Sequence, residues 1–86
     1  MLRLSVIIAT KDRPERLRKC LLAIAKQSIS PYEIIIVDGS SKPFHHAKTL
    51  LKKTKVIYKN KKSTMVEARN IGIKQASGEI ILFLDD

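Results

Sequence analysis

Acids, bases and small polar residues recur at three places in this sequence where an apolar run gives out. Residues 6–9 lead into Thr10-Lys11-Asp12-Arg13, residues 34–37 into Asp38-Gly39-Ser40, and residues 80–84 into Asp85-Asp86. A carboxylate just past a buried strand, as at Asp38, can accept hydrogen bonds from a ribose or a base. Adjacent carboxylates at Asp85 and Asp86 offer hard oxygen ligands for Mg²⁺ or Mn²⁺, ions that commonly reach a protein through diphosphate oxygens. His45, His46 and Cys20 promise less. No spaced partner completes a zinc set around the histidines, which read as surface residues at a helix start. The lone cysteine excludes an internal disulfide and reads as core packing. The turn after the first run has neither a G-x-G-x-x-G nor a G-x-x-x-x-G-K-[ST] pattern, so a dinucleotide dehydrogenase or P-loop NTPase is disfavoured. A bound phosphate would instead be neutralised by a metal and by basic side chains.

The elements between these segments must bring them together. Leu4–Thr10 is short, β-branched and apolar, the pattern of a strand buried on both faces. Asp12 then predicts an N-cap, with Pro14 in the first turn and Glu15 at the reciprocal capping position. Leu17, Cys20, Leu21 and Ile24 recur at helical spacing to about Lys26. Ser30-Pro31 breaks the chain, Glu33–Asp38 predicts a second strand, and residues 39–43 a loop. Residues 45–53 predict a short helix and residues 55–59 a polar-flanked edge strand. Thr64 and Glu67 form a capping box that opens a helix to about Ala76, with Val66, Asn70, Ile73 and Ala76 along one face. Ser77-Gly78 predicts its C-cap, and residues 79–84 a fourth strand.

The order β-α-β-α-β-α-β predicts an α/β fold, a Rossmann-like three-layer sandwich. Its sheet is mostly parallel, with right-handed crossovers and strand order 3-2-1-4. All three polar segments then fall on the carboxyl rim, where ligands bind beside the reversal of strand order. The chain is read as one domain over residues 1–86.

Charge narrows the partners. Lys and Arg number 17 against 8 Asp and Glu, a net charge of +9, and no acid occurs between Gly39 and Val66. Lys48, Lys52, Lys53, Lys55, Lys59, Lys61 and Lys62 crowd that stretch. Such an excess favours phosphates, nucleic acid or an anionic membrane surface. With two Phe, two Tyr and no Trp, the chain has little aromatic platform for single strands, and nucleic acid is the weaker expectation. The apolar runs fall far short of a membrane span, and the expected compartment is the cytoplasm, with peripheral attachment to a membrane as a variant.

Four motifs occur in register: LSVIIATKDRPERL at residues 4–17, YEIIIVDGSS at 32–41, ARNIG at 68–72 and ASGEIILFLDD at 76–86. In order and spacing they resemble the family 2 glycosyltransferases. The resemblance implies a GT-A fold and transfer of a sugar from a nucleotide diphosphate sugar, UDP- or GDP-linked, with a divalent metal, Mg²⁺ or Mn²⁺. It implies that Thr10, Lys11 and Arg13 flank the base and that Asp38 lies beside the nucleoside. Arg69 would approach the nucleotide or diphosphate, and Asp85, followed by Asp86, would open the D-x-D metal motif. The chain carries Lys11 and Asp12 where many relatives have an aromatic residue and Asn, and Gly39 where many have a second acid. No general base or acceptor site is assigned. The expectation is the amino-terminal donor-binding part of an enzyme, inactive in transfer by itself.

Plainer readings stand beside these. Asp38 can cap backbone amides of its loop, Asp85-Asp86 can be a polar terminus, and Arg69 can be solvated or paired with Glu67. Lys11 and Arg13 can be surface charges. The lysine-rich stretch can be a solvated helix face and a protected edge, or a contact for anionic lipid or a polyanionic acceptor. As a whole the chain can be a non-catalytic basic module. The apolar run at residues 80–84 predicts an exposed edge, open to self-association.

Overall fold

A computed structural model describes residues 2–27 and 30–85, with Asp85 described by its strand backbone alone. The chain runs β1 (Leu4–Thr10), α1 (Pro14–Ala25), β2 (Glu33–Asp38), α2 (Ala47–Leu50), β3 (Lys55–Asn60), α3 (Met65–Gln75) and β4 (Ile80–Asp85). The four strands form one sheet in the order β3-β2-β1-β4, and every pairing is parallel. Both the Rossmann-like architecture and the strand order therefore agree with the sequence.

Alternation along the strands divides the interior in two. Val6, Ile8, Ile34 and Ile36 pack with Leu17 and Leu21 of α1 and with Ala47 and Leu51 around α2. Ile7, Ala9, Ile35 and Val37 meet Ala68 of α3 on the opposite face. Because β1 and β2 are covered on both faces, they tolerate near-continuous apolar sequence. The edges differ. On β3, Lys55, Lys59 and Asn60 are exposed. On β4, four consecutive apolar residues, Ile80 to Phe83, are each 38–44% exposed. No helix among the described residues is long and apolar enough to cross a membrane.

Several local expectations are corrected. The N-cap position of α1 belongs to Arg13, without a side-chain cap, and not to Asp12. Asp12 takes a left-handed backbone, φ 54°, a conformation that Asp tolerates better than most residues. Glu15 consequently falls one place short of a capping box. The helix expected over residues 45–53 shrinks to four residues, with no capping side chain and no acid in its first turn to oppose the macrodipole.

The capping box of α3 forms as expected. Thr64 Oγ1 accepts from the Glu67 amide at 3.1 Å, and the Thr64 amide donates to Glu67 Oε1 at 2.8 Å. Its buried face, however, is Ala68 and Gly72, flanked by Ile71, whereas Val66 and Ile73 are exposed. Close approach explains the choice of small residues: a Cβ on Gly72 would stand 2.5 Å from Ile7 Cγ2. Gly78 has no C-capping left-handed conformation, since α3 ends at Ala76 in extended backbone. It is needed because a Cβ there would meet Ser5 Oγ at 2.5 Å and the Arg3 carbonyl at 2.7 Å.

Candidate functional site

At the carboxyl end of the sheet Thr10 and Asp38 are register partners, and both are buried. The Gly39 amide donates to the Thr10 carbonyl at 2.9 Å, continuing the ladder one residue past β2. The chain then turns outward, and Asp38 organises the turn. Its Oδ1 accepts from the Ser40 amide at 2.9 Å and from Ser40 Oγ at 2.5 Å, and its Oδ2 accepts from the Tyr58 hydroxyl at 2.5 Å. Ser40 Oγ in turn accepts from the Asp12 amide at 2.6 Å, so the turns after β1 and β2 are tied to each other.

Tyr58 holds the far end of this loop. Its hydroxyl accepts from the Phe44 amide at 2.7 Å, and Asn60 Nδ2 donates to the Asp38 and Ser40 carbonyls at 3.0 and 2.9 Å. Burial, followed by the hydrogen bond to Asp38, pushes the Tyr58 hydroxyl up to about 12. A carboxylate has about four acceptor directions, and three donors reach Asp38. Oδ1 accepts two of these bonds and Oδ2 one. Asp38 thus caps its loop, as the plainer reading has it, without exhausting its capacity to bind.

The two turns and the amino end of α1 enclose a cleft of about 560 Å³, within the range of small-molecule sites. Thr10, Arg13 and Asp38 line it. Lys11 is exposed outside the lining, its aliphatic stem near Gly39. Arg69 is half-buried on α3, across the sheet from α1, and is not among the lining residues. Asp85 ends β4 beside Ala9, so its backbone joins Thr10 and Asp38 on one rim. The Asp85 side chain and all of Asp86 lie outside the described residues. Among those described, no group of three or more His, Cys, Asp or Glu is placed to hold a metal.

The structure also brings in residues that sequence reading left aside. Arg18, Lys42, Phe44, His45 and His46 line the cleft. The histidines are exposed, as expected, but they belong to the site, and His46 packs edge-on against Phe44 with ring centroids 5.6 Å apart. Tyr58 was visible in principle, because its register partner Ile36 stands two residues before Asp38, on the same face of the sheet.

The model of the family described as "Glycosyl transferase family 2" matches residues 5–86. The uncharacterized glycosyltransferase YwdF of Bacillus subtilis is 37% identical over 99% of this chain and 32% of its own length. Glycosyltransferase AglE of Haloferax volcanii is 33% identical over 94% of the chain and 29% of its own. The crystal structure of S. aureus TarS superposes with a TM-score of 0.70 at 27% identity, over 98% of this chain and 16% of TarS. The chain therefore spans about a third of the length of these two relatives.

Proposed function

This chain belongs to glycosyl transferase family 2, and from that premise we propose that its carboxyl rim binds the nucleotide of a nucleotide diphosphate sugar, UDP- or GDP-linked. One observation carries the reading: the buried pair Thr10 and Asp38 sits at the ends of two central parallel strands and opens onto a cleft of about 560 Å³. The remaining acceptor direction of Asp38 suits an N–H or O–H of the nucleoside. Arg13 lines the cleft at that position, while Lys11 and Arg69, both outside its lining, would approach the nucleotide from the rim and from α3. Arginine fits phosphate geometry.

The residue types also suit a divalent cation: Asp85, at the end of the strand beside β1, and Asp86, next in sequence, would hold Mg²⁺ or Mn²⁺ through their carboxylate oxygens. When bound, the ion neutralises diphosphate charge, a task for which this turn has no glycine-rich amide cradle. Transfer to an acceptor is proposed as the activity of a protein of the relatives' length. The 86 residues alone are proposed to bind donor without steady turnover.

Calorimetric titration with UDP-glucose and GDP-mannose, with and without Mg²⁺, tests the reading. Weak affinity is expected, on the order of millimolar, strengthened by Mg²⁺ and reduced in Asp38→Asn. A salt-sensitive DNA titration is the counter-experiment. Tighter binding to DNA than to either nucleotide sugar, unaffected by Asp38→Asn, would favour the basic-module alternative.

A further inference from the structure

Because every strand pairing is parallel, all four strands begin at one edge of the sheet, and the three helices end there. Charge is divided unevenly between this amino edge and the carboxyl edge. Asp12, Glu15 and Asp38 line the cleft at the carboxyl edge, Glu67 lies in the first turn of α3, and Asp85 ends β4. Among the described residues the amino edge holds two carboxylates, and each faces a cation. Glu33 stands 3.9 Å from Lys55 and Glu79 stands 3.4 Å from Arg3. Beyond these pairs the same edge carries Lys26, Lys52, Lys53 and Lys74, all exposed. Apolar surface accompanies the charge. A groove of about 370 Å³ between the ends of α1 and α2 is lined by the half-buried Ile24 and Leu50 together with Lys52 and Lys53. Nearby in the fold, Leu2 is 68% exposed, and the exposed Tyr32 ring has the Arg3 guanidinium 5.0 Å from its centroid.

We propose that this amino edge docks on an anionic phospholipid bilayer, with headgroup phosphates at Lys52 and Lys53 and with Leu2 and Tyr32 entering the interfacial layer. The combination of side chains selects the partner. A nucleic acid would use the lysines but has no need of an exposed leucine or an apolar groove, and single strands ask for stacked aromatic rings. The boundary of a bilayer takes all three kinds of group: aliphatic side chains, a tyrosine with one wet end, and lysines that lay their stems on apolar surface while their ammonium groups meet the headgroups. Docked this way, the cleft at the opposite edge faces away from the lipid. No residue of the cleft takes part, so the proposal stands independently of the nucleotide reading.

Cosedimentation of the intact chain with vesicles tests this, using phosphatidylcholine alone and an equimolar mixture with phosphatidylglycerol. The mixed vesicles should bind the parent chain and the neutral ones should not. Two lysines at an anionic surface are worth roughly thirtyfold in affinity, so Lys52→Gln/Lys53→Gln should lose about that much. Lys61→Gln/Lys62→Gln removes the same charge past the other end of β3, roughly 20 Å away at the rise of a strand and about two Debye lengths. It should bind within about twofold of the parent. All four lysines are exposed, and the melting temperatures of both variants should match the parent. Leu2→Ser should weaken vesicle binding severalfold and leave binding to duplex DNA unmoved. Equal losses in the two lysine variants, a parent that ignores the mixed vesicles, or a Leu2→Ser chain that binds them like the parent overturns the proposal. Tighter binding to duplex DNA than to mixed vesicles, lost on changing Lys52 and Lys53, also overturns it and makes the edge a nucleic-acid surface.

Discussion

Strand β2 has a buried carboxylate at each end, and the two differ in what lies beside them. At the amino end Glu33 is fully buried, and its Oε2 accepts from Ser5 Oγ at 2.6 Å, the Ser77 amide at 2.6 Å and Ser77 Oγ at 3.1 Å. Ser5 Oγ also accepts from the Gly78 amide at 2.9 Å. The glycine lies so close that no further atom fits between. Glu33 Oε1 has no hydrogen-bond partner among the described residues, and Lys55 Nζ stands 3.9 Å from it. At the carboxyl end Asp38 is equally buried and carries as many donors, yet it borders an open cleft. Burial and hydrogen bonding therefore do not separate the two carboxylates, and neither does spare acceptor capacity, since Glu33 keeps an oxygen without a hydrogen bond. The open cleft beside Asp38 does.

The largest effect should come from breaking the closed end. Glu33→Ala strands Ser5 and the Ser77 amide and should lower stability by about 3 kcal/mol in a denaturant titration. Titration of Glu33 has the same sense. Burial pushes its carboxyl up, but the hydrogen bonds from Ser5 and Ser77, helped by Lys55, outweigh it and hold the pKa below the ordinary 4.5. The corresponding stability is complete above that ordinary value and drains away as pH falls through the folded one. The melting temperature of the parent should fall in that acid window, and the fall should be smaller in Glu33→Ala.

Two glycine substitutions sharpen the contrast between closed and open ends. Gly78→Ala forces a Cβ against Ser5 Oγ and the Arg3 backbone and should destabilise by about 2 kcal/mol. Gly39→Ala meets nothing nearer than the Ser63 carbonyl at 3.5 Å, and its φ is not positive. Thermal melts should place it within about 0.5 kcal/mol of the parent. Equal losses at both positions would contradict the distinction.

Next in size is Tyr58→Phe. It removes the donor to Asp38 and leaves the Phe44 amide unpaired, an expected loss of about 1 kcal/mol. Faster hydrogen exchange in residues 39–46, with the Ser77 amide unchanged, would localise the effect to the rim. The smallest stability change is expected for Leu82→Lys, within about 0.5 kcal/mol, because Leu82 is already 44% exposed. Its effect should appear in sedimentation instead. We propose that the chain self-associates through β4, whose apolar residues lack the lysines that guard β3, and the variant should abolish the concentration dependence of its mass. A parent that sediments as a concentration-independent monomer would refute this.

Strand placement and order were legible because β1 and β2 are buried on both faces and read as unbroken apolar runs. The capping box at Thr64 was legible because it needs only residues adjacent in sequence. Contacts between distant segments were not. Asp12 departs from its capping role because Ser40 captures its amide, and the packed face of α3 is chosen by the proximity of Ile7 and not by hydrophobicity. Thr10, Arg13 and Asp38 could be placed at one cleft from strand ends alone, while the strapping of Asp38 by Tyr58 depends on how β3 lies against β2. His45 and His46 carry no motif. Only the path of the loop after β2 brings them to the wall of the site.

The central claim, that ligand binds at the open end of the sheet, is tested most directly by mapping amide shifts on adding UDP-glucose with Mg²⁺ to the intact chain. The account predicts shifts at Thr10, Arg13, Asp38 and Ser40, with Ser5, Glu33 and Ser77 unmoved. Shifts confined to the lysines from Lys52 to Lys62, sparing Thr10 and Asp38, would contradict it and reduce the interaction to charge attraction.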